Sequence, residues 1–342
     1  MGSVKEIEII KQPEINKEGE GQFIFSDRYS VFDWGEMPDH IEKKGAALCI
    51  LSSYFFHLLE KNSIPTHFVG LLEDDKIKKF PELNSYSNIM RVKMLRVLKP
   101  QYDETTNTYN YDIYKTEKKN LLIPLEIIYR NSLTEGSSIF KRIKNREITY
   151  KDLGLNHEPV PGEKFETPLL DVSTKLEHTD RYISWDEAQK ISGLSDENMK
   201  KVKDLILKIN KIITQECNKV GIENVDGKFE FGIDANGDII VVDVLGTPDE
   251  CRFIMDNFHI SKEFARIWYR KTEWFKELEI VKKERGRDWK EYVKSKPEKL
   301  HPEIKNLISH MYMAVTNEIT GKKFFDVPEL KTIIADLKKY AV

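Results

Sequence analysis

Asp226, Lys228 and Glu230 interleave with Val225, Phe229 and Phe231 in one run of the chain. Strand side chains point alternately to opposite faces, so the three polar groups share a face and the apolar ones take the other. A second apolar run, Ile239-Ile240-Val241-Val242, ends in Asp243, and Asp234-Ala235-Asn236-Gly237-Asp238 lies between the two. Asn-Gly between apolar runs is a strong hairpin signal. A two-residue turn at Asn236-Gly237, or a four-residue loop around it, sets Glu230 directly opposite Asp243, whereas a three-residue loop puts them on opposite faces. Facing carboxylates repel, and they need a cation between them or a proton held by one. Mg²⁺ takes one or two carboxylates plus substrate phosphates, and Lys228 beside the pair would meet a further anion. That chemistry is half of a nucleotide–metal site. An exposed hairpin with a solvated polar face meets the same pattern, so both readings stand at this point.

The elements that must position this face are read from periodicity. Residues 4–10 and 23–25 read as strands, and 45–61 as a helix with a wide apolar face of Leu48, Leu51, Phe55, Leu58 and Leu59. Residues 66–71 and 89–98 read as strands, and the polar stretch 99–120 as an exposed hairpin insertion. Residues 121–130 form a continuous apolar strand in which Pro124 suits an edge or a bulge, and this strand is the expected inter-domain hinge. Residues 141–168 read as loop. Ser184 with Glu187 makes a capping box, and Ser195 caps the helix that leads into the hairpin. Further helices are expected at 261–276, 302–319 and 327–340. At 342 residues the chain exceeds a typical single core. A smaller sheet-rich domain over 1–123 and a larger one over 124–342 are expected.

Composition narrows the class. The chain is 40% hydrophobic and 32% charged, with a net charge of −3, so neither nucleic acid nor an acidic membrane is a favoured partner. Cys49, Cys217 and Cys251 are scattered, without metal spacing or a disulfide framework. The histidines show no zinc pattern. No apolar run reaches a membrane span and no signal-peptide core is seen, so a cytoplasmic address is expected. A homo-oligomer is compatible with all of this.

Several blocks in order carry a family resemblance: Ser26-Asp27-Arg28-Tyr29-Ser30-Val31-Phe32-Asp33, Lys44-Gly45-Ala46, Pro124-Leu125-Glu126, Arg130 to Ser137, Lys228-Phe229-Glu230-Phe231-Gly232, Thr247-Pro248-Asp249-Glu250-Cys251-Arg252-Phe253 and Lys262-Glu263-Phe264-Ala265-Arg266. Together they resemble the phosphoribosylaminoimidazole-succinocarboxamide synthase (SAICAR synthetase) family. The resemblance implies a two-domain α+β fold with ATP in the cleft. It also implies a ligase of purine biosynthesis that joins carboxyaminoimidazole ribotide to L-aspartate through an acyl phosphate, with ATP and Mg²⁺ required.

By the same resemblance Glu230 and Asp243 are metal ligands, and Asp226 and Lys228 are catalytic, with Lys228 also on the ATP phosphates. Glu126 and Ile127 fall where the family binds adenine through the hinge. Arg130, Ser137 (or its neighbour Ser138), Arg252 and Arg266 match groups that hold the ribotide, arginine meeting phosphate with a planar fork. Asp27, Ser30, Asp33 and Lys44 fall on the substrate side. Lys175, with Glu177, His178 and Asp180, matches a loop that closes over nucleotide and aspartate. The chain departs from the family where Ser3 replaces an N-terminal lysine, leaving Lys5 as the nearest substitute for ATP, and where Val244 replaces a second acid. Two other readings remain open: a paralogous ligase for a different acid–amine pair, and a non-catalytic nucleotide-binding scaffold.

Overall fold

The computed structural model describes residues 5–340; Ser3, the expected departure in the first loop, lies outside them. In chain order the first sheet is built from β1 (Lys5–Lys11), β2 (Gly19–Phe25), β3 (Phe68–Glu73), β4 (Lys76–Lys78) and β5 (Ile89–Met94), with α1 (Lys44–Lys61) between β2 and β3. Its strand order is β1-β2-β5-β3-β4. The expected insertion is a small hairpin, β6 (Gln101–Asp103) and β7 (Thr108–Asn110), followed by the short α2 (Ile113–Thr116). The second sheet follows with β8 (Leu121–Ser132), β9 (Lys164–Thr174), β10 (Glu223–Ile233), β11 (Ile239–Val242), β12 (Cys251–Met255) and β13 (Phe258–His259). Its order is β13-β12-β10-β8-β9, with β11 on the far half of β10. The helices of this half are α3 (Ser138–Lys144), α4 (Trp185–Ser192), α5 (Asp196–Lys219), α6 (Glu263–Tyr269), α7 (Glu273–Arg285), α8 (Pro302–Thr320) and α9 (Leu330–Lys338).

Local chemistry explains the ends of these elements. Ser184 Oγ accepts from Glu187 N at 3.1 Å and Ser195 Oγ from Asn198 N at 3.2 Å, as the sequence led us to expect. The start of α1 is held from outside: Asp27 accepts from the N–H groups of Lys43 and Gly45, each at 3.0 Å. A side chain at Gly45 would stand 2.8 Å from the Phe25 backbone, so only glycine lets α1 lie this close to β2. Almost the whole of α1 is buried, because it packs on the first sheet with one side and on α8 with another.

The two sheets share one core and are tied at two bridges. His67 N donates to Val241 O at 3.0 Å, and Arg96 N to Asn120 O at 3.0 Å. The expected domain boundary at 123/124 falls within β8. Pro124 sits in an irregularity of the β8–β10 ladder, where Glu230 pairs with Glu126 but Gly232 already pairs with Leu122. The bulge reading of Pro124 therefore holds, although β8 lies inside the sheet and not at its edge. The stretch 141–168, read as loop, contains the start of the eleven-residue strand β9. Its polar opening and Pro168 hid it from periodicity. The single helix expected over 261–276 is two, α6 and α7.

Candidate active site

The β10–β11 register differs from the even-loop expectation. Ile233 pairs with Ile239, and Asp234 N donates to Asp238 O at 2.9 Å, leaving residues 235–237 as the turn. This odd loop sets Glu230 opposite Val242, not Asp243. Simple alternation would then send Asp243 to the far face. Instead β11 ends at Val242, and Asp243 adopts a left-handed backbone with φ 66°, which breaks the alternation and returns its carboxylate to Glu230. The carbonyl of Asp243 is held there by His67 Nε2 at 3.1 Å. Burial pushes His67 down to about 4, so the ring stays neutral with its proton on Nε2, facing that carbonyl.

A cluster of opposed charges surrounds the pair. Glu230 and Glu126 face each other across β10 and β8, and Lys175 Nζ bridges them at 2.9 and 2.7 Å. Lys228 Nζ reaches Glu126 at 2.6 Å and Glu250 at 3.6 Å. Lys5 Nζ lies 2.6 Å from Asp243. Burial and then the Asp243 charge push Glu230 up to about 7. Against its own desolvation, Asp243 is held below the usual carboxylate range by Lys5. Lys175 and Lys228 outweigh their desolvation through the neighbouring glutamates and stay well above the usual lysine range, hence charged.

Two cavities meet at this cluster. One, of about 330 Å³, lies between the sheets and is lined by apolar Ile7, Phe23, Leu95, Val97, Leu122 and Val242, with Lys5, Lys175, Glu230 and Asp243 at its polar end. The other, of about 360 Å³, carries Arg130, Lys228, Arg252, Lys262 and Arg266, together with Asp33 and Asp180. Lys175 and Lys228 stand at the junction, since Glu126 lines the second cavity and Glu230 the first.

The structure sorts the remaining candidates. Asp226 underlies two arginines, Arg252 Nε at 3.3 Å and Arg130 Nη1 at 3.5 Å. Asp226 Oδ2 and Arg130 Nε are buried and make no hydrogen bond among the described residues. Arg130 also donates to Ser138 Oγ at 3.2 Å, whereas Ser137 caps α3. Of the two serines, it is Ser138 that faces the arginine. Arg266 pairs with Glu263 at 3.0 Å on the cavity wall.

Five expected residues sit differently from their sequence reading. Both carboxylate oxygens of Asp27 are spent on the start of α1, and Ser30 lines neither cavity. Lys44 is fully buried on Asp249 at 2.7 Å, a structural pair beneath the cavity and not an open cation. Ile127 points into the core from an inner strand paired on both edges, which leaves it away from both cavities. Lys175, expected over the second substrate, instead joins the two glutamates. The inter-sheet segment that does face the apolar cavity is Leu95 to Val97. Arg96 pairs with residues 120 and 122, while Leu95 and Val97 make no backbone hydrogen bond among the described residues.

Residues 12–304 match the family model described as SAICAR synthetase. A relative from Archaeoglobus fulgidus is 48% identical over 339 residues, 99% of each chain, and carries the name phosphoribosylaminoimidazole-succinocarboxamide synthase provisionally. A phosphoribosylaminoimidazole-succinocarboxamide synthase of Thermoplasma acidophilum is 32% identical over 88% of this chain and 93% of its own. This chain belongs to the SAICAR synthetase family. Solved structures agree on the fold. A SAICAR synthase from Saccharomyces cerevisiae complexed with SAICAR superposes with a TM-score of 0.64 at 23% identity over 95% of each chain. A SAICAR synthetase in complex with ADP gives 0.60 at 24% identity over 94% of this chain and 97% of the other. Within this SAICAR synthetase fold, one acidic group on the cavity wall carried little signal in the sequence. Asp180, exposed at the rim of the cationic cavity, is raised to about 6 by partial desolvation and then by the Glu126 charge. Its clue was position alone, five residues beyond Lys175 in the same loop. Among the described residues, no helix is long and apolar enough to cross a membrane.

Proposed function

We propose that this chain is an ATP-dependent ligase that joins carboxyaminoimidazole ribotide to L-aspartate, giving SAICAR, ADP and phosphate. The observation that carries this reading is the meeting of an apolar and a cationic cavity at Lys175 and Lys228. The apolar cavity suits adenine, with the unspent backbone groups of Leu95 and Val97 on its wall. The ribotide, which carries a phosphate and a carboxylate, suits the cavity with Arg130, Arg252, Arg266 and Lys262.

A carboxylate is a poor electrophile, so one of its oxygens first attacks the terminal phosphorus of ATP and ADP leaves. The α-amine of aspartate then attacks the acyl carbon, the carbon–oxygen bond breaks, and phosphate leaves. Lys175 and Lys228, both held protonated, stand where negative charge passes between the two cavities. The proton that the aspartate ammonium must shed goes to Asp180, whose raised pKa still leaves it ionised at neutral pH. Asp226 keeps Arg130 and Arg252 in place.

Glu230 and Asp243 are the residues that would hold Mg²⁺. They are hard oxygen donors at the polar end of one cavity, each already drawn to a lysine, and burial followed by the Asp243 charge raises Glu230 to about 7. Among the described residues no group of three or more histidine, cysteine and acidic side chains is placed to hold a metal, and Mg²⁺ shared with phosphates needs only the pair. When bound, the ion supplies charge neutralisation on phosphate oxygens. The test is ADP release. It should require ribotide and aspartate together, and ATP turnover independent of both would overturn the reading.

A further inference from the structure

The loop over residues 175–181 carries two groups that the reaction uses, Lys175 and Asp180. Its base is closed by Thr174 N on Arg181 O at 2.9 Å and by Arg181 N on Thr174 Oγ1 at 3.0 Å. Inside that base Leu176 holds a φ of 76°, a left-handed conformation that a branched L side chain adopts only when its surroundings impose it. Contacts from the insertion fall on the two residues that follow Leu176. Tyr111 Oη donates to Glu177 Oε1 at 2.7 Å, and His178 N donates to Tyr109 Oη at 2.8 Å. Glu177 also receives Arg181 Nη2 at 3.4 Å, which in turn binds Glu187 of α4 at 2.8 Å.

The insertion is itself firmly seated. Tyr114 is fully buried and donates to Leu98 O at 2.6 Å, at the end of the segment that walls the apolar cavity. Lys118 Nζ donates to Gly193 O at 2.6 Å and Tyr114 O at 2.8 Å. The Tyr102 and Tyr109 rings pack at 4.9 Å. A short path of tyrosines therefore runs from the inter-sheet segment to the loop that bears Lys175 and Asp180.

We propose that the 99–120 insertion is a strut for this loop, with Tyr111 acting through Glu177 and Tyr109 through the His178 amide as positioning residues. Neither tyrosine lines the apolar or the cationic cavity. Their hydroxyls fix the loop conformation that puts Lys175 between Glu126 and Glu230 and leaves Asp180 on the cationic cavity. This rests on the ligase reading for the roles of Lys175 and Asp180.

Tyr111→Phe keeps the ring and removes one hydroxyl. It should lower kcat about tenfold, the order expected from a lost hydrogen bond to a charged group, with KM for ATP and ribotide within about twofold. Amide exchange should quicken about tenfold over 175–181 and stay unchanged elsewhere. Glu177→Gln, which retains an acceptor for Tyr111, should keep slow exchange in the loop and most of kcat. Unchanged kcat in Tyr111→Phe, unchanged loop exchange, or exchange raised equally along the whole chain would each overturn the strut. Should Tyr111→Phe fail to fold, Tyr109→Phe carries the same expectation. Exchange needs no substrate, so a wild-type protein that releases no ADP would refute the ligase reading while the loop measurement still decides the strut.

Discussion

Lys44→Met separates a structural lysine from a substrate-binding one. Lys44 Nζ is fully buried and lies 2.7 Å from Asp249 Oδ2, with a second bond to Arg28 O at 3.3 Å. Asp249 Oδ1 accepts from Tyr312 Oη at 2.6 Å. The ion pair therefore ties α1 to the segment before β12 and to α8. Removing Lys44 leaves the buried Asp249 charge with only the Tyr312 hydroxyl and the more distant Lys262 to offset it, a loss of up to about 3–5 kcal/mol. Against a usual stability of about 5–15 kcal/mol, that is a large share of the margin. The defect should depend on pH in a set direction. In the wild type desolvation would raise Asp249, but Lys44 outweighs it and holds the group below the usual range. Its contribution is thus present above the unfolded carboxylate pKa and lost as pH falls through the depressed folded value. In Lys44→Met burial is opposed only by the Lys262 charge and the Tyr312 hydroxyl, so Asp249 moves up from its wild-type value. The deficit of the variant against the wild type then grows as pH rises from about 5 to 8, where holding the group ionised costs most. Lys44→Met/Asp249→Asn should recover a large part of the loss, since neither charge is left unpaired. The assay is urea unfolding of the three proteins at both pH values. A loss under about 1 kcal/mol with raised KM, or a double variant no better than the single, would refute the structural assignment and return Lys44 to the substrate.

Lys175→Met leaves Glu126 and Glu230 facing each other without their bridge, and kcat should fall by about a hundredfold or more, as for loss of a charged group at the reacting phosphate; a change in KM alone would contradict its place at the junction. Asp180 is raised to about 6, so as an acceptor it works above that value. The acid limb of kcat should lie near pH 6 in the wild type and disappear in Asp180→Asn at a much reduced rate; an unaltered limb would assign it to another group. A side chain at Gly227 would meet Tyr129 Oη at 2.6 Å and Cys251 Sγ at 2.8 Å. Gly227→Ala should therefore destabilise by about 1–3 kcal/mol in thermal unfolding, and an unchanged midpoint would show that the cavity floor yields freely.

Much of this arrangement was legible in the residues, for physical reasons that can be named. The polar face of β10 followed from strand alternation, and the caps at Ser184 and Ser195 from side-chain chemistry within one turn of helix. The pairing of Glu230 with Asp243 was anticipated through the wrong register. Asn-Gly marked the turn but not the loop length, and the left-handed Asp243 depends on His67 from the other sheet. Long-range contacts account for the other differences. Asp27 looked like a free carboxylate because the α1 amides it caps begin sixteen residues away. Ile127 looked like a hinge because an apolar strand between two halves does not reveal that both its edges are covered. The bridge made by Lys175 needs β8, β9 and β10 side by side, which no local pattern encodes.

The central claim is that a carboxylate oxygen in the cationic cavity takes the phosphoryl group delivered past Lys175 and Lys228. Its most direct test labels the ribotide carboxylate with heavy oxygen and follows the label by mass spectrometry during turnover with ATP and aspartate. An acyl phosphate predicts that labelled oxygen passes into the released phosphate, with none in ADP. Phosphate free of label, formed while SAICAR accumulates, would contradict it.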